Sequence, residues 1–290
     1  MPRFLLHSPW QAVLVLVALM LPSLAQAQES GGTAQGPVDT EHIFGFAEGA
    51  DIGENGEREL EITATSLVGK LGQYVGVQNE TAFRYVVTDG FRASIGDLTD
   101  YHAISGVPGL TDLHSVSVFG GVSSEFRWQF LNRFSSPLDL TLSFEPLWEH
   151  IDDTSGRSVQ SYVMPLRLLA DMALIPEKTF VALNLTYAPT FARLGGLWQL
   201  QNEIEIALAA CTAVTDNSFL GVEVRQFALN QNGFFSGPAI FLGPSLFVRL
   251  SEAAIFKIVG EAQVPVETGG RLDLVNYQRY QVRAVFALNF

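Results

Sequence analysis

Apolar and polar residues alternate with a period of two through most of this chain, in runs of about ten residues separated by turn-like breaks. The last run is the sharpest. From Gln281 to Phe290, the side chains of Val282, Ala284, Phe286, Leu288 and Phe290 share one parity, and Gln281, Arg283, Val285, Ala287 and Asn289 share the other. Successive side chains of a strand point to opposite faces, so this spacing predicts a strand with one apolar face and one mostly polar face. Twelve candidate strands can be marked: 58–68, 77–87, 91–101, 115–130, 138–149, 158–174, 179–191, 197–212, 219–229, 237–250, 254–265 and 276–290. In the well-defined runs the charges keep to one parity. Strand 197–212 sets Gln199, Gln201, Glu203 and Glu205 against Leu200, Ile204, Ile206 and Leu208.

Hydrophobic residues make up 48% of the chain and its mean hydropathy is +0.22, high for a water-soluble protein. Yet the longest apolar run, Ala12 to Leu21, has ten residues, and a membrane-spanning helix needs roughly 20. An apolar chain without such a helix fits many short strands closed into a transmembrane barrel. The Ala12 to Leu21 run follows Arg3 and precedes Ala25-Gln26-Ala27, the layout of a secretory signal cut after Ala27. The expected organisation is a signal peptide over 1–27, a flexible leader and turn over 28–57, and a barrel over 58–290. Seventeen basic against 30 acidic residues argue against nucleic acid as a partner. Cys211 is alone, so no internal disulfide forms.

The breaks alternate in length. Those after even-numbered strands are mostly short, such as Thr88-Asp89-Gly90 and Pro176-Glu177-Lys178, and those after odd-numbered strands are longer, such as Tyr101 to His114 and Val266 to Val275. Short periplasmic turns, longer outer loops and an even strand number characterise single-chain outer-membrane barrels. Trp148 and Trp198 fall near the expected outer ends of their strands, and Phe91, Trp128, Phe130, Phe219 and Phe290 near the periplasmic ends, as two aromatic girdles would. The closing strand resembles that of Gram-negative outer-membrane β-barrels, which commonly end in Phe. That resemblance implies insertion in outer-membrane lipid and an assembly machinery that reads Phe286, Leu288 and Phe290. Glu41 to Asp51, Gly56 to Glu61 and Phe83 to Phe91, with its Val-Thr-Asp turn, are similar to an uncharacterised family of proteobacterial outer-membrane proteins. The family brings no catalytic or ligand residues to carry over. The fold class is therefore all-β, an antiparallel up-and-down transmembrane barrel of about twelve strands (ten to fourteen). Pro146, Pro165, Pro189 and Pro244 fall inside proposed strands, where each removes a ladder donor, and predict bulges or early strand ends.

With the apolar parity toward lipid, the other parity faces the lumen. Its expected lining includes Glu80, Arg84, Glu125, Arg127, Glu145, Arg167, Glu203, Glu205, Glu223, Arg225, Lys257, Glu261 and Arg283, with Glu59, Glu61, Arg92 and Asp171 beside them. Two readings stay open: a water-filled path that selects small solutes by charge, and a filled interior in which these groups pair with one another. A barrel of this size lies between side-chain-filled small barrels and wide porins. A passive, porin-like passage is favoured, and Glu203, Glu205, Glu223 and Glu261 would give it a preference for cations. A filled barrel acting through its outer loops is the second reading. An outer-membrane enzyme is the third: His42, His102, His114 and His150 are expected in the leader or loops, and no G-x-S-x-G elbow or His-x-Ser pattern is present. No catalytic residue, cofactor or metal is expected. The Asp51-Gly53-Asn55-Gly56 stretch lacks the ligand pattern of a calcium loop and reads as a turn into the first strand.

Overall fold

The computed structural model describes residues 38–194, 196–231, 234–235, 238–266 and 271–290. The expected signal peptide and the start of the leader lie outside them. The strands are β1 (Arg58–Val68), β2 (Gln73–Thr88), β3 (Phe91–Ser105), β4 (Leu113–Leu131), β5 (Asp139–Phe144), β6 (Leu147–Ile151), β7 (Ser158–Val163), β8 (Leu166–Ile175), β9 (Thr179–Leu194), β10 (Leu197–Thr215), β11 (Ser218–Gln231), β12 (Phe234–Phe235), β13 (Ala239–Arg249), β14 (Ala254–Val264) and β15 (Tyr280–Asn289). β5 and β6 are two parts of one wall strand, as are β7 and β8, and β12 only extends the β11 hairpin. Fifteen segments thus make twelve walls, each paired antiparallel with the next. β15 returns to β1 over ten residue pairs, from Glu59↔Asn289 to Val68↔Tyr280, and closes the ring. Closure leaves no free strand edge.

The alternation maps onto the two faces of this wall. Val118 (85% exposed), Phe130 (62%), Ile95 (60%) and Val222 (50%) point outward from three different strands. Glu59, Arg127, Glu223, Lys257 and Glu261, of the opposite parity, are buried inside. Large apolar side chains exposed around a whole barrel, with charge within, invert the pattern of a water-soluble protein. Among the described residues no helix is long and apolar enough to cross a membrane.

Two of the four prolines end strand segments early, as expected, β5 stopping at Phe144 before Pro146 and β7 at Val163 before Pro165, but none of the four makes a bulge. Phe144↔Leu166 and Leu147↔Val163 lie on one register, as do Leu166↔Tyr187 and Val163↔Thr190. Pairing thus passes Pro146 and Pro165 without a bulge, while β9 and β13 run straight through Pro189 and Pro244. Each proline removes a donor but keeps its carbonyl, and those of Pro146, Pro165 and Pro189 accept from the N–H groups of Ser124, Glu145 and Met164. Bulges occur elsewhere, as between Leu98 and Asp100 on the β3–β4 ladder.

Further corrections concern the interior. Residues 38–52, expected as leader and turn, run inside the barrel, with Thr40 to Ala47 all buried, and only Glu54 to Gly56 form the exposed turn into β1. An extended chain can be buried only where its backbone groups find partners, and this wall supplies them from side chains. Phe219, expected in the periplasmic girdle, points inward. It joins Phe180, Phe247, Ala207, Ala209 and Cys211 around Ile43, Phe44 and Ala47 of the inner segment. Among the described residues, the histidines other than His42 lie on strands rather than loops: His102 in β3, His114 in β4 and His150 in β6.

Candidate functional site in the lumen

The inner segment enters the lumen beside β9 and β10 because these strands carry small or apolar inward residues there. Ala182, Ala207, Ala209 and Cys211 leave space that Phe44 fills. From that anchor the backbone turns toward β11, where the N–H groups of Gly45, Phe46 and Ala47 all donate to the Glu223 carboxylate, at 2.7 Å for Phe46 and 3.0 Å for Ala47. Gly45 is needed for this approach, since a Cβ there would lie 2.5 Å from the Cβ of Val259. Ala50 N–H donates to Asp171 at 2.6 Å, and Glu48 N–H to the Asn184 amide oxygen at 2.7 Å. Arg133 binds Thr40 Oγ1 and Asp139 Oδ2, each at 2.8 Å.

Charge completes the fit. Glu41 reaches Arg84 at 2.8 Å and also pairs with Arg92. Arg84 in turn holds Glu61 at 2.6 Å and Glu59 at 3.1 Å. Glu48 lies between Arg127 and Arg167, the latter at 2.9 Å. Arg127 also binds Glu125 at 2.6 Å, and Arg167 binds Glu145 at 2.7 Å. On the far side Arg225 binds Glu261 at 2.9 Å and Glu205 at 3.1 Å, and its guanidinium covers the Phe46 ring at 3.7 Å. Burying one of these charges alone would be costly, and pairing each with hydrogen bonds offsets that cost. Burial works against ionising Glu41, yet Arg92, His42 and Arg84 hold its carboxyl well below the usual range. Burial likewise opposes the His42 imidazolium, but Glu59 and Glu41 outweigh it and raise the pKa to about 9.

Ligating atoms of Glu41, His42 and Glu59 lie within 4.8 Å of one another. Their carboxylates already receive Arg84 and Arg92, so the group is a set of ion pairs in which a metal ion would have to displace guanidinium groups. Asp51 accepts from the N–H groups of Ile52 and Gly53 as a turn residue. The remaining histidines meet a backbone carbonyl (His102 with Asp153), Tyr101 (His114) and the Trp148 ring (His150).

Above the inner segment the lumen opens into a cavity of about 180 Å³. Glu80, Glu145, Glu149, Arg167 and Arg283 line it, with Leu98, Leu147 and Val163 as its apolar members. Of the thirteen lining candidates, the structure draws Arg84, Glu125, Arg127, Glu145, Arg167, Glu205, Glu223, Arg225, Glu261 and Arg283 into contacts with the inner segment or with one another. Glu80 and Arg283 face the cavity, and Lys257 and Arg283 line a smaller space beside His42. Glu203 stands beside Glu205 on the inward parity of β10, apart from both groups. Sequence reading missed the partners Glu41, Glu48 and Asn184. At the end of the barrel away from the inner segment's entry, the stretch before β15 packs against the wall. Tyr277 packs on Phe227 and Phe241, and Lys70 binds the Asn276 carbonyl at 2.9 Å.

A family model described as a family of unknown function, DUF6662, matches residues 37–290. The fold is similar to that of an outer membrane channel, COG4313, from Pseudomonas putida F1, with 11% identity, a TM-score of 0.58, and coverage of 87% of this chain and 100% of that one. It is also similar to the NanC porin, with 8% identity, a TM-score of 0.52, and coverage of 80% and 100%. No curated protein matches the chain.

Proposed function

This chain belongs to the DUF6662 family, and we propose that it is an outer-membrane channel of low conductance for small solutes, narrowed from the periplasmic side by its own inner segment. The observation that carries this reading is a charged interior that is neither empty nor packed solid. The inner segment fills one end, while a cavity of about 180 Å³ persists above it. A barrel built only for rigidity would have no need of a charged cavity, because buried charge contributes little net stability. The Pseudomonas channel and the NanC porin supply the precedent of the fold. Export by a signal peptide over 1–27, outer-membrane lipid around the apolar belt, and assembly machinery acting on Phe286, Leu288 and Phe290 belong to the same proposal.

The preference for cations rests on fewer residues than the sequence offered. Glu205 and Glu261 share the single cation Arg225, and Glu223 is taken up by backbone N–H groups of the inner segment. Glu80, Glu149 and Glu203 remain to attract cations. The deciding measurement is conductance of the refolded protein in a planar bilayer under a salt gradient. Small discrete steps with a reversal potential toward cation selectivity are expected. A silent membrane over correctly folded barrels would remove the channel reading, and an anion-directed potential would remove the selectivity.

A further inference from the structure

The cavity above the inner segment holds the charges that the ion-pair network leaves over. Elsewhere in the lumen arginine meets carboxylate repeatedly: Arg84 with Glu61, Arg127 with Glu125, Arg225 with Glu261. Facing the cavity, Glu80 and Glu149 have no cationic side chain within 4.0 Å among the described residues, and Arg283 has no carboxylate within that distance. Glu80 accepts from the Ser123 hydroxyl, and Arg283 Nε donates to Thr65 Oγ1 at 3.2 Å. The Arg283 guanidinium is also stacked over the Phe46 ring at 4.6 Å, which holds its plane in place. Along the wall the lining thus runs from the Arg283 guanidinium of β15, past β1, to Glu80 of β2, Leu98 of β3 and then Leu147 and Glu149 of β6, so both signs of charge and an apolar patch border one cavity.

We propose that this cavity is a binding site for a small zwitterion, of the class of an α-amino acid. Its ammonium group sits between Glu80 and Glu149, and its carboxylate lies on the fork of Arg283. A guanidinium can give two parallel hydrogen bonds to a carboxylate, so it orients the solute as well as attracting it. A simple cation would leave Arg283 unmatched, and a simple anion would leave two carboxylates unmatched, so a molecule carrying both charges is selected by what it satisfies. Few precisely placed polar groups with an apolar patch are the usual make-up of a small-molecule site. The inference rests on the channel reading and names the solute class for it.

The test is equilibrium dialysis of radiolabelled L-alanine against the refolded chain in detergent micelles, which reads binding whether or not the barrel conducts. L-Alanine is expected to bind about tenfold or more tightly than lactamide, a neutral molecule of similar size, because charged hydrogen bonds are lost with the latter. Arg283→Gln and Glu80→Gln should each weaken binding by about tenfold. Arg283→Lys should recover part of the loss, which a folding defect would not do, and Glu252→Gln in a periplasmic turn should change nothing. Equal binding of alanine and lactamide overturns the proposal. So does ethylamine binding as well as alanine with no dependence on Arg283, which would make this a plain cation site. A silent bilayer with alanine bound would fell the channel reading alone; conductance without alanine binding would fell only this one.

Discussion

His42 is a histidine held in its charged form by two buried carboxylates, and that makes the inner segment's attachment dependent on pH. Its folded pKa, about 9, lies above the ordinary value of about 6.5. A raised pKa means the folded state binds the proton more tightly, so the stabilisation is complete below pH of about 6.5 and fades as pH rises through about 9. Denaturation midpoints of the native chain and His42→Gln should therefore differ most near pH 6 and converge toward pH 10; a gap independent of pH would refute this role. Arg127, 2% exposed, connects Glu48 of the inner segment to Glu125 of the wall. Arg127→Met leaves Glu48 to Arg167 alone and Glu125 to Arg92 alone, and should lower the unfolding free energy by up to about 3–5 kcal/mol in a denaturant titration. The wall half of this network was legible, since Arg84, Glu125, Arg127 and Arg167 stand on the inward parity of alternating strands. Glu41 and Glu48 were not, because they lie in a glycine-rich stretch without periodicity, and no local pattern states that such a stretch enters a barrel. One trace was present. At Ile206 to Cys211 both parities are apolar or small, which a water-lined wall would not need and which the seat of Phe44 explains.

At the scale of the element, the wall strands and the inner segment obey different rules. Wall strands are specified by alternation, and all twelve expected runs recur in the structure because a slip of one residue would turn charge to lipid and apolar surface to the lumen. The prolines defeat a local reading, since the loss of one donor does not force a bulge when neighbouring pairs hold the register on both sides. The inner segment has no ladder of its own and depends on a few anchors: Phe44 in its apolar seat, Gly45 to Ala47 on Glu223, and Glu48 between two arginines. Deleting residues 38–52 should leave the closed ring intact, because β1 starts at Arg58 and pairs over its whole length with β2 and β15. It removes the filling from one end of the lumen. Single-channel conductance is expected to rise several-fold over the intact protein. Glu223→Ala, or Gly45→Val with its clash at Val259, should produce a smaller increase or a flickering open state. Unchanged conductance in the deletion would show that the constriction lies in the outer loops instead.

For the molecule as a whole, the question is how a closed ring with an apolar exterior reaches its membrane without aggregating. β15 must meet β1 for the edge to disappear. Phe290, just past β15, contributes little to that closure. Phe290 is 71% exposed, its N–H donates to the Arg58 carbonyl at 3.0 Å, and its ring lies 6.3 Å from that of Phe83. Substitution keeps the backbone bond and forfeits an aromatic contact worth about 0.5–1.5 kcal/mol. Phe290→Ser should therefore refold into detergent micelles with nearly the native yield and melting temperature. In cells, if the assembly machinery reads Phe286, Leu288 and Phe290, the same variant should reach the outer membrane at a markedly lower level. The two measurements together separate a residue that holds the barrel from one that is recognised while it is being built. A variant that fails equally in micelles and in cells would assign Phe290 to the wall alone; one that succeeds equally in both would leave the machinery's signal elsewhere on β15.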